Sequence, residues 1–495
     1  MIEDINLILP PLIVAFGGLV LMFLSAFNKI KLQNYNLLAI AFLTLAFVIE
    51  LPRYGSGERF FAFSKLFFKM YIVDDFSILF DLMFLLGAVF TLLVNSVYLK
   101  KRKYYSGEFF ALILFSIFGM MTLAHSNELI SAFIALELAS ISIYALVGYH
   151  KNNPLSGEAM FKYLVLGSFT SSFFILGSAL IYGAVDSTNI YDIASFVSSS
   201  HGEKLIPVYM GATLIMITIL FKIGAAPFHA WVLDVYHGAP FPVTMFMAST
   251  FKIALFAIAL RIYLVDFKEI NALWSSILQV ITVLTLLIGS WLAYSQKVLK
   301  RMLSGSSIVH SGYMLIALSS VGLGAKYAAP AIMFYLIAYF LSSVGAFGIL
   351  SFLSSDAKRQ FTYDDFKGFA QQRPYLAAMM AVFMLSLSGF PSTIGFLGKF
   401  YIFTSAIEAG EIALAALGII TAFISVYYYF KLIAVMYFYS SDDQKKKFEF
   451  SISTVLIGAM AIIIIWGGIG TSLFSFIPGA DGLIDIATQA IESLR

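Results

Sequence analysis

Apolar runs of about 18 residues or more, such as LILPPLIVAFGGLVLMFLSAF from Leu7 to Phe27, follow one another along almost the whole chain. A bilayer's hydrocarbon core is about 30 Å thick, and about 20 apolar residues in a helix cross it. Lipid offers no partner to a backbone N–H or C=O, so each such run has to satisfy its own hydrogen bonds, which a helix does. The strict alternation of short segments that marks a membrane β-barrel is absent. Composition points the same way: 60% of residues are hydrophobic and 12% charged, against about 25% charged in soluble chains. The expected fold is therefore all-α and polytopic, with about 14 spans judged on length and apolarity. They lie near 5–27, 34–51, 75–99, 108–124, 128–149, 158–183, 207–237, 241–264, 271–293, 300–321, 328–353, 375–407, 412–438 and 452–475. The segment 54–74 reads as an excursion from the membrane, with a short hairpin between Phe60 and Val73, and the tail after Pro478 as a short amphipathic piece.

Several functions are excluded early. The chain has no cysteine, which rules out disulfides, thiolate metal sites and thiolate-bound iron–sulfur clusters within it. A net charge of +3 does not suggest nucleic acid as a partner. Glu3 and Asp4 stand where a cleavable signal would carry basic residues.

Lys and Arg in short loops set orientation. One set of loops holds Lys29, Lys31, Lys100, Lys101, Arg102, Lys103, Lys151, Lys297, Lys300, Arg301, Lys358, Arg359, Lys367, Arg373, Lys445, Lys446 and Lys447. The alternate set is poorer: Arg53, Arg59, Lys65, Lys69, Lys204, Arg261, Lys268 and Lys326. The richer set is expected on the cytoplasmic side, which puts both termini outside.

Two spans are interrupted. The seventh carries Lys222 and then Gly224-Ala225-Ala226-Pro227; the twelfth carries Gly389-Phe390-Pro391, then Gly395 and Lys399. They stand five spans apart, an odd number, so they run in opposite directions. Discontinuous helices in inverted repeats place ion sites near the bilayer midplane.

An ionisable side chain inside a span is costly and is a functional candidate for that reason. Glu137 lies near the middle of the fifth span with no basic residue close in sequence; its alternative reading is a carboxylate that ties helices together. Lys222 stands deep, beside freed carbonyls, and its alternative is snorkelling to the surface. Burial favours a neutral amine and a nearby carboxylate favours the charged one, so a lysine held between the two can switch. Lys252 and Lys399 have similar settings, in the eighth span and beyond the second break. His229 and His310 could accept and donate protons, or could be ordinary hydrogen-bonded core residues. Lys162 lies one turn after Glu158, a spacing that a plain helix ion pair explains. Asp81, in the second turn of the third span, fits the helix dipole and reads as structural. No nucleophile elbow, phosphate loop, metal-spaced cluster or dinucleotide fingerprint accompanies these residues. Lysines bind sodium poorly and relay protons well, so the row reads as a proton path.

The segments LELASISIYALVGY, SGEAMFKYLVLGSF with SALIYG, FKIGAAPFHAW, SIVHSGYMLIAL, LSGFPSTIGFLGKF and YYYFKLIAVMYF, with Lys252, together resemble the subunit N family of bacterial NADH-quinone oxidoreductase, respiratory complex I. The wider family includes the other antiporter-like subunits, multisubunit cation/proton antiporters and membrane-bound hydrogenases. A lysine rather than an acid in the twelfth span argues against subunit M, and the lack of a long lateral helix argues against subunit L. The resemblance implies fourteen helices with two inverted five-helix repeats. Residues 1–107 hold the first three helices, 108–264 and 265–440 the repeats, and 441–495 the last helix and tail. It also implies that Glu137 pairs with Lys222, that Lys252 and His310 form a central relay and that Lys399 leads to the outer face, with Lys162 matching a family lysine. The implied role is proton translocation coupled to electron transfer from NADH to quinone. The implied partners are other membrane subunits of the complex and the lipid bilayer. No cofactor is implied in this chain, since NADH, flavin, iron–sulfur clusters and quinone belong to partner subunits. A cation/proton antiporter and a purely structural membrane subunit remain the alternatives.

Overall fold

The apolar runs are helices. The computed structural model describes residues 2–27, 31–56, 60–62, 69–102, 104–267, 270–355, 360–440, 450–469 and 479–494. Lys29, Arg59, Lys65, Lys103, Lys268, Lys358, Arg359, Lys445, Lys446 and Lys447 of the charge tally lie outside the described residues, as does the middle of the expected hairpin. The ends of that hairpin are present: β1 (Phe60–Ala62) pairs antiparallel with β2 (Tyr71–Val73), Phe60 opposite Val73.

The main helices are α1 (Leu9–Ala26), α2 (Leu32–Glu50), α3 (Asp75–Val94), α4 (Gly107–Ala124), α5 (Leu129–Val147), α6 (Pro154–Val185), α7 (Ile206–Ile223), α8 (Val232–Gly238) and α9 (Phe241–Val265). They continue as α10 (Asn271–Ser295), α11 (Leu299–Gly322), α12 (Ala328–Ser354), α13 (Pro374–Ser388), α14 (Ile394–Glu408), α15 (Ile412–Phe438), α16 (Ile452–Ile469) and the tail helix α17 (Ala480–Glu492). Twelve helices among the described residues are long and apolar enough to cross a membrane. The chain is a multi-pass helical membrane protein.

Two of the expected spans fall outside that twelve, each for a physical reason. One is α11, which carries Lys300, Arg301, His310 and several serines, yet is buried over nearly its whole length. A helix walled in by other helices needs no apolar coat. The other is the twelfth span, which the chain breaks into α13 and α14.

Burial sorts the bundle into layers. The inner helices α9 and α12 are buried on nearly every side, whereas α1, α2, α6 and α15 turn wide apolar faces outward, with Phe23, Leu37, Phe161 and Phe423 exposed. In lipid there is no hydrophobic drive between helices, so close packing of small residues takes over. At Gly177 of α6 an added Cβ would stand 2.6 Å from the Gly211 carbonyl of α7, and the reverse holds at Gly211. One buried ion pair ties the third helix to the ninth: Arg261 grips Asp74 with two hydrogen bonds of 3.0 and 2.9 Å. Asp74 is also the N-cap of α3, accepting from Ser77 N at 2.8 Å.

Candidate functional site

The two breaks are built alike. Helix α7 ends where Gly224 turns to φ +76°, and α13 ends where Gly389 turns to φ +83°, a region that costs an L-residue with a Cβ about 1–2 kcal/mol. In the first, Ala225 N bonds Leu220 O at 2.9 Å and Gly224 N bonds Phe221 O at 3.0 Å; in the second, Phe390 N bonds Leu385 O at 2.9 Å and Gly389 N bonds Ser386 O at 3.0 Å. This 6→1 and 5→2 pair is the Schellman C-cap. Pro227 and Pro391 follow shortly and prevent the helix from resuming.

Around the first break Lys222 is buried, 2% exposed. Its Nζ donates to Ser140 Oγ at 2.9 Å and Tyr144 Oη at 2.8 Å, and lies 3.3 Å from Glu137 Oε1. The three partners sit at i, i+3 and i+7 of α5, one face of a helix. Ser171 of α6 donates to the same Glu137 oxygen at 2.5 Å. Three neighbouring helices thus meet at one ion pair. The break frees carbonyls beside it: Phe221 O accepts from Trp231 Nε1 at 3.0 Å, and Ile223 O from Ser311 Oγ at 3.0 Å.

Ser311 leads to the next amine. Lys252 Nζ donates to Ser311 Oγ at 2.9 Å, to Ser307 O at 2.7 Å and to Ser307 Oγ at 3.3 Å. Its described polar partners are all neutral. It follows directly on a π-helical stretch, Met247–Phe251, a wide turn often found at functional sites. On α11, one residue before Ser311, His310 is held at both nitrogens: Nδ1 is 2.6 Å from Tyr335 Oη and Nε2 is 3.0 Å from Tyr429 Oη. A hydroxyl can donate or accept, so neither contact fixes the tautomer.

At the second break Lys399 donates to Leu387 O and Ser388 O, both at 2.9 Å. These are the last carbonyls of α13, where the helix dipole favours a cation. Its amine also lies 4.9 Å from the Tyr313 ring centroid, a cation–π contact. A cavity of about 220 Å³ opens beside it, lined by Ser388, Gly389, Phe400 and Phe423 among others.

Glu137, Lys222, Lys252, His310 and Lys399 all fall within residues 126–425, the stretch that matches the family described as NADH:quinone oxidoreductase/Mrp antiporter, transmembrane. The chain belongs to this family. Among the relatives of this antiporter-family chain, NADH-quinone oxidoreductase subunit N of Trichlorobacter lovleyi is 38% identical over 433 residues, 87% of each chain. A subunit N 1 from Solibacter usitatus is 34% identical over 496 residues, 100% of this chain and 98% of its own. A chain of respiratory complex I from Thermus thermophilus, solved with bound aureothin, matches in structure with a TM-score of 0.77 and 30% identity, over 93% of this chain and 96% of that one.

Two candidates stand apart from the row in this family member. Lys162 is 39% exposed and pairs with Glu158 at 2.6 Å and Asp234 at 3.1 Å; Arg301 reaches the same Asp234 at 3.1 Å. It is not joined to Glu137 or Lys222 among the described contacts. His229 is half-buried in the turn after the first break, and its Nδ1 has no hydrogen-bond partner among the described residues. Residues the sequence reading did not single out complete the row: Ser140, Tyr144, Ser171, Ser307, Ser311, Tyr335 and Tyr429. Only Ser140 and Tyr144 carry a usable signal, their helical spacing from Glu137.

Proposed function

We propose that Glu137, Lys222, Lys252, His310 and Lys399 form a proton path through this chain, with Ser311 joining the first break to Lys252. The chain is a membrane subunit of a proton-translocating NADH-quinone oxidoreductase, of the subunit N type, as its 38% and 34% identical relatives are named. Redox cofactors and quinone sit in partner subunits, and the other membrane subunits are its neighbours in the bilayer. The observation that carries the path is Lys222, fully buried, held by one carboxylate at 3.3 Å beside a broken helix. With Glu137 near, the amine keeps its charge. When the carboxylate moves away, or its charge is compensated by a neighbouring subunit, burial favours the neutral amine and Lys222 passes its proton on. Water has to bridge the steps between the direct hydrogen bonds, and each such water needs room and about two to four polar partners.

The twin C-caps support two repeats, 108–264 and 265–440, running in opposite senses within a fourteen-span chain. The bacterial relatives support an inner membrane location, and the loop charges support an orientation with both termini outside. Lys162, paired with Glu158 and Asp234, and His229 at the first break stay candidates for the path.

Replacing Lys222 with Met keeps the shape of the apolar stem and removes the amine. The variant is expected to assemble into the complex and to move fewer protons per NADH oxidised. An unchanged proton yield would remove Lys222 from the path. Sodium-dependent exchange without any dependence on NADH would select the antiporter reading instead.

A further inference from the structure

A buried cluster of ionisable side chains lies away from the row, where α2, α3 and α4 meet the β1–β2 hairpin. Glu50 ends α2, Asp81 stands in the second turn of α3 and His125 follows the last residue of α4; none is more than 1% exposed. One donor atom of each lies within 4.8 Å of the other two. His125 Nδ1 is 2.6 Å from the carbonyl oxygen of Ile72. A carbonyl only accepts, so Nδ1 carries a proton and Nε2 is turned toward the acids, 2.9 Å from Asp81 Oδ2. Tyr71 stacks on the imidazole with ring centroids 4.5 Å apart. Asp81 Oδ1 and the Tyr71 hydroxyl are buried with no hydrogen-bond partner among the described residues.

We propose that Glu50, Asp81 and His125 bind a divalent first-row transition metal ion of the Zn²⁺ type. An imidazole whose Nδ1–H is held by a backbone carbonyl, leaving Nε2 free to ligate, is the usual supporting arrangement of a metal-bound histidine. One nitrogen and two carboxylates suit zinc, whereas magnesium and calcium take oxygen ligands. Two ligands on a tetrahedral ion with bonds of about 2.0–2.1 Å stand about 3.3 Å apart, so Nε2 and Oδ2 need to part by only a few tenths of an ångström. The orphaned Asp81 oxygen and Tyr71 hydroxyl offer partners to the ion or to a water on its remaining position. One group opposes the ion. Arg53 Nη1 lies 3.3 Å from Glu50 Oε2, although the same guanidinium is also anchored by the Asn6 and Leu7 carbonyls.

The test is calorimetric titration of the full chain in detergent with Zn²⁺ alone. One ion per chain is expected. His125→Gln and Asp81→Asn each weaken binding at least tenfold, and Arg53→Gln tightens it. Zn²⁺ raises the unfolding temperature of the parent chain but not of His125→Gln, with helical content checked by circular dichroism. Should Asp81→Asn fail to fold, Glu50→Gln is the ligand variant. No binding by the parent, or equal affinity in the parent, His125→Gln and Glu50→Gln, would overturn the proposal and leave a carboxylate–imidazole pair that shares a proton. Lys222→Met binds Zn²⁺ like the parent, so failure of this site and failure of the proton path are separable.

Discussion

Glu137→Gln is the sharpest perturbation the geometry offers. An amide has the shape of a carboxylate and can still accept from Ser171 and Lys222, so the change removes a charge and little else. At the observed 3.3 Å and an effective dielectric near 20, attraction between the two charges is about 5 kcal/mol. Drawing the carboxylate back to about 7 Å lowers that to about 2.4 kcal/mol. The swing of about 2.6 kcal/mol exceeds the roughly 2.3 kcal/mol needed to move one charge against 100 mV. Without the charge the swing disappears, and this chain's share of translocation is expected to fall steeply. Proton uptake by inverted membrane vesicles, measured against NADH consumed, reads the effect, with a native gel confirming assembly. Full proton yield from assembled Glu137→Gln complex would refute the gating argument, because nothing else in the described site modulates Lys222 by charge.

Other expectations concern the frame around the path. Gly389→Ala places a Cβ in a left-handed conformation and 2.9 Å from Lys399 Cδ; a loss of about 1–2 kcal/mol from the backbone alone should appear as a lower unfolding temperature, together with reduced pumping. Arg261→Leu strands the buried Asp74 carboxylate, and breaking such a pair costs about 3–5 kcal/mol; poor accumulation or a steep fall in thermal stability is expected, and parent-like stability would show that the pair contributes little.

Much of the frame was legible because lipid leaves a chain few options. Apolar runs became helices within a few residues of the expected ends, and both breaks sit where Gly224 and Gly389 precede a proline. Glu137, Lys222, Lys252 and Lys399 stood out because a charge in an apolar run has no inexpensive explanation. Their partners did not. Serine and tyrosine are common on apolar helices, so Ser307, Ser311, Tyr335 and Tyr429 give no local sign that they face an amine or imidazole on another helix. The π-helical stretch before Lys252 has no sequence signature either. Asp81 illustrates the limit best: its place near a helix start was explanation enough in sequence, yet in the fold it meets His125, 44 residues away. Helix α11 was read as an ordinary span, although its serines and basic residues mark a helix shielded from lipid by its neighbours.

Continuity is the central claim, and ordered water tests it most directly. A structure of the assembled complex that resolves individual waters should show them linking Lys222 and Lys252 to the Tyr335–His310–Tyr429 group and that group to Lys399. Dry, close-packed side chains across either gap would contradict the account.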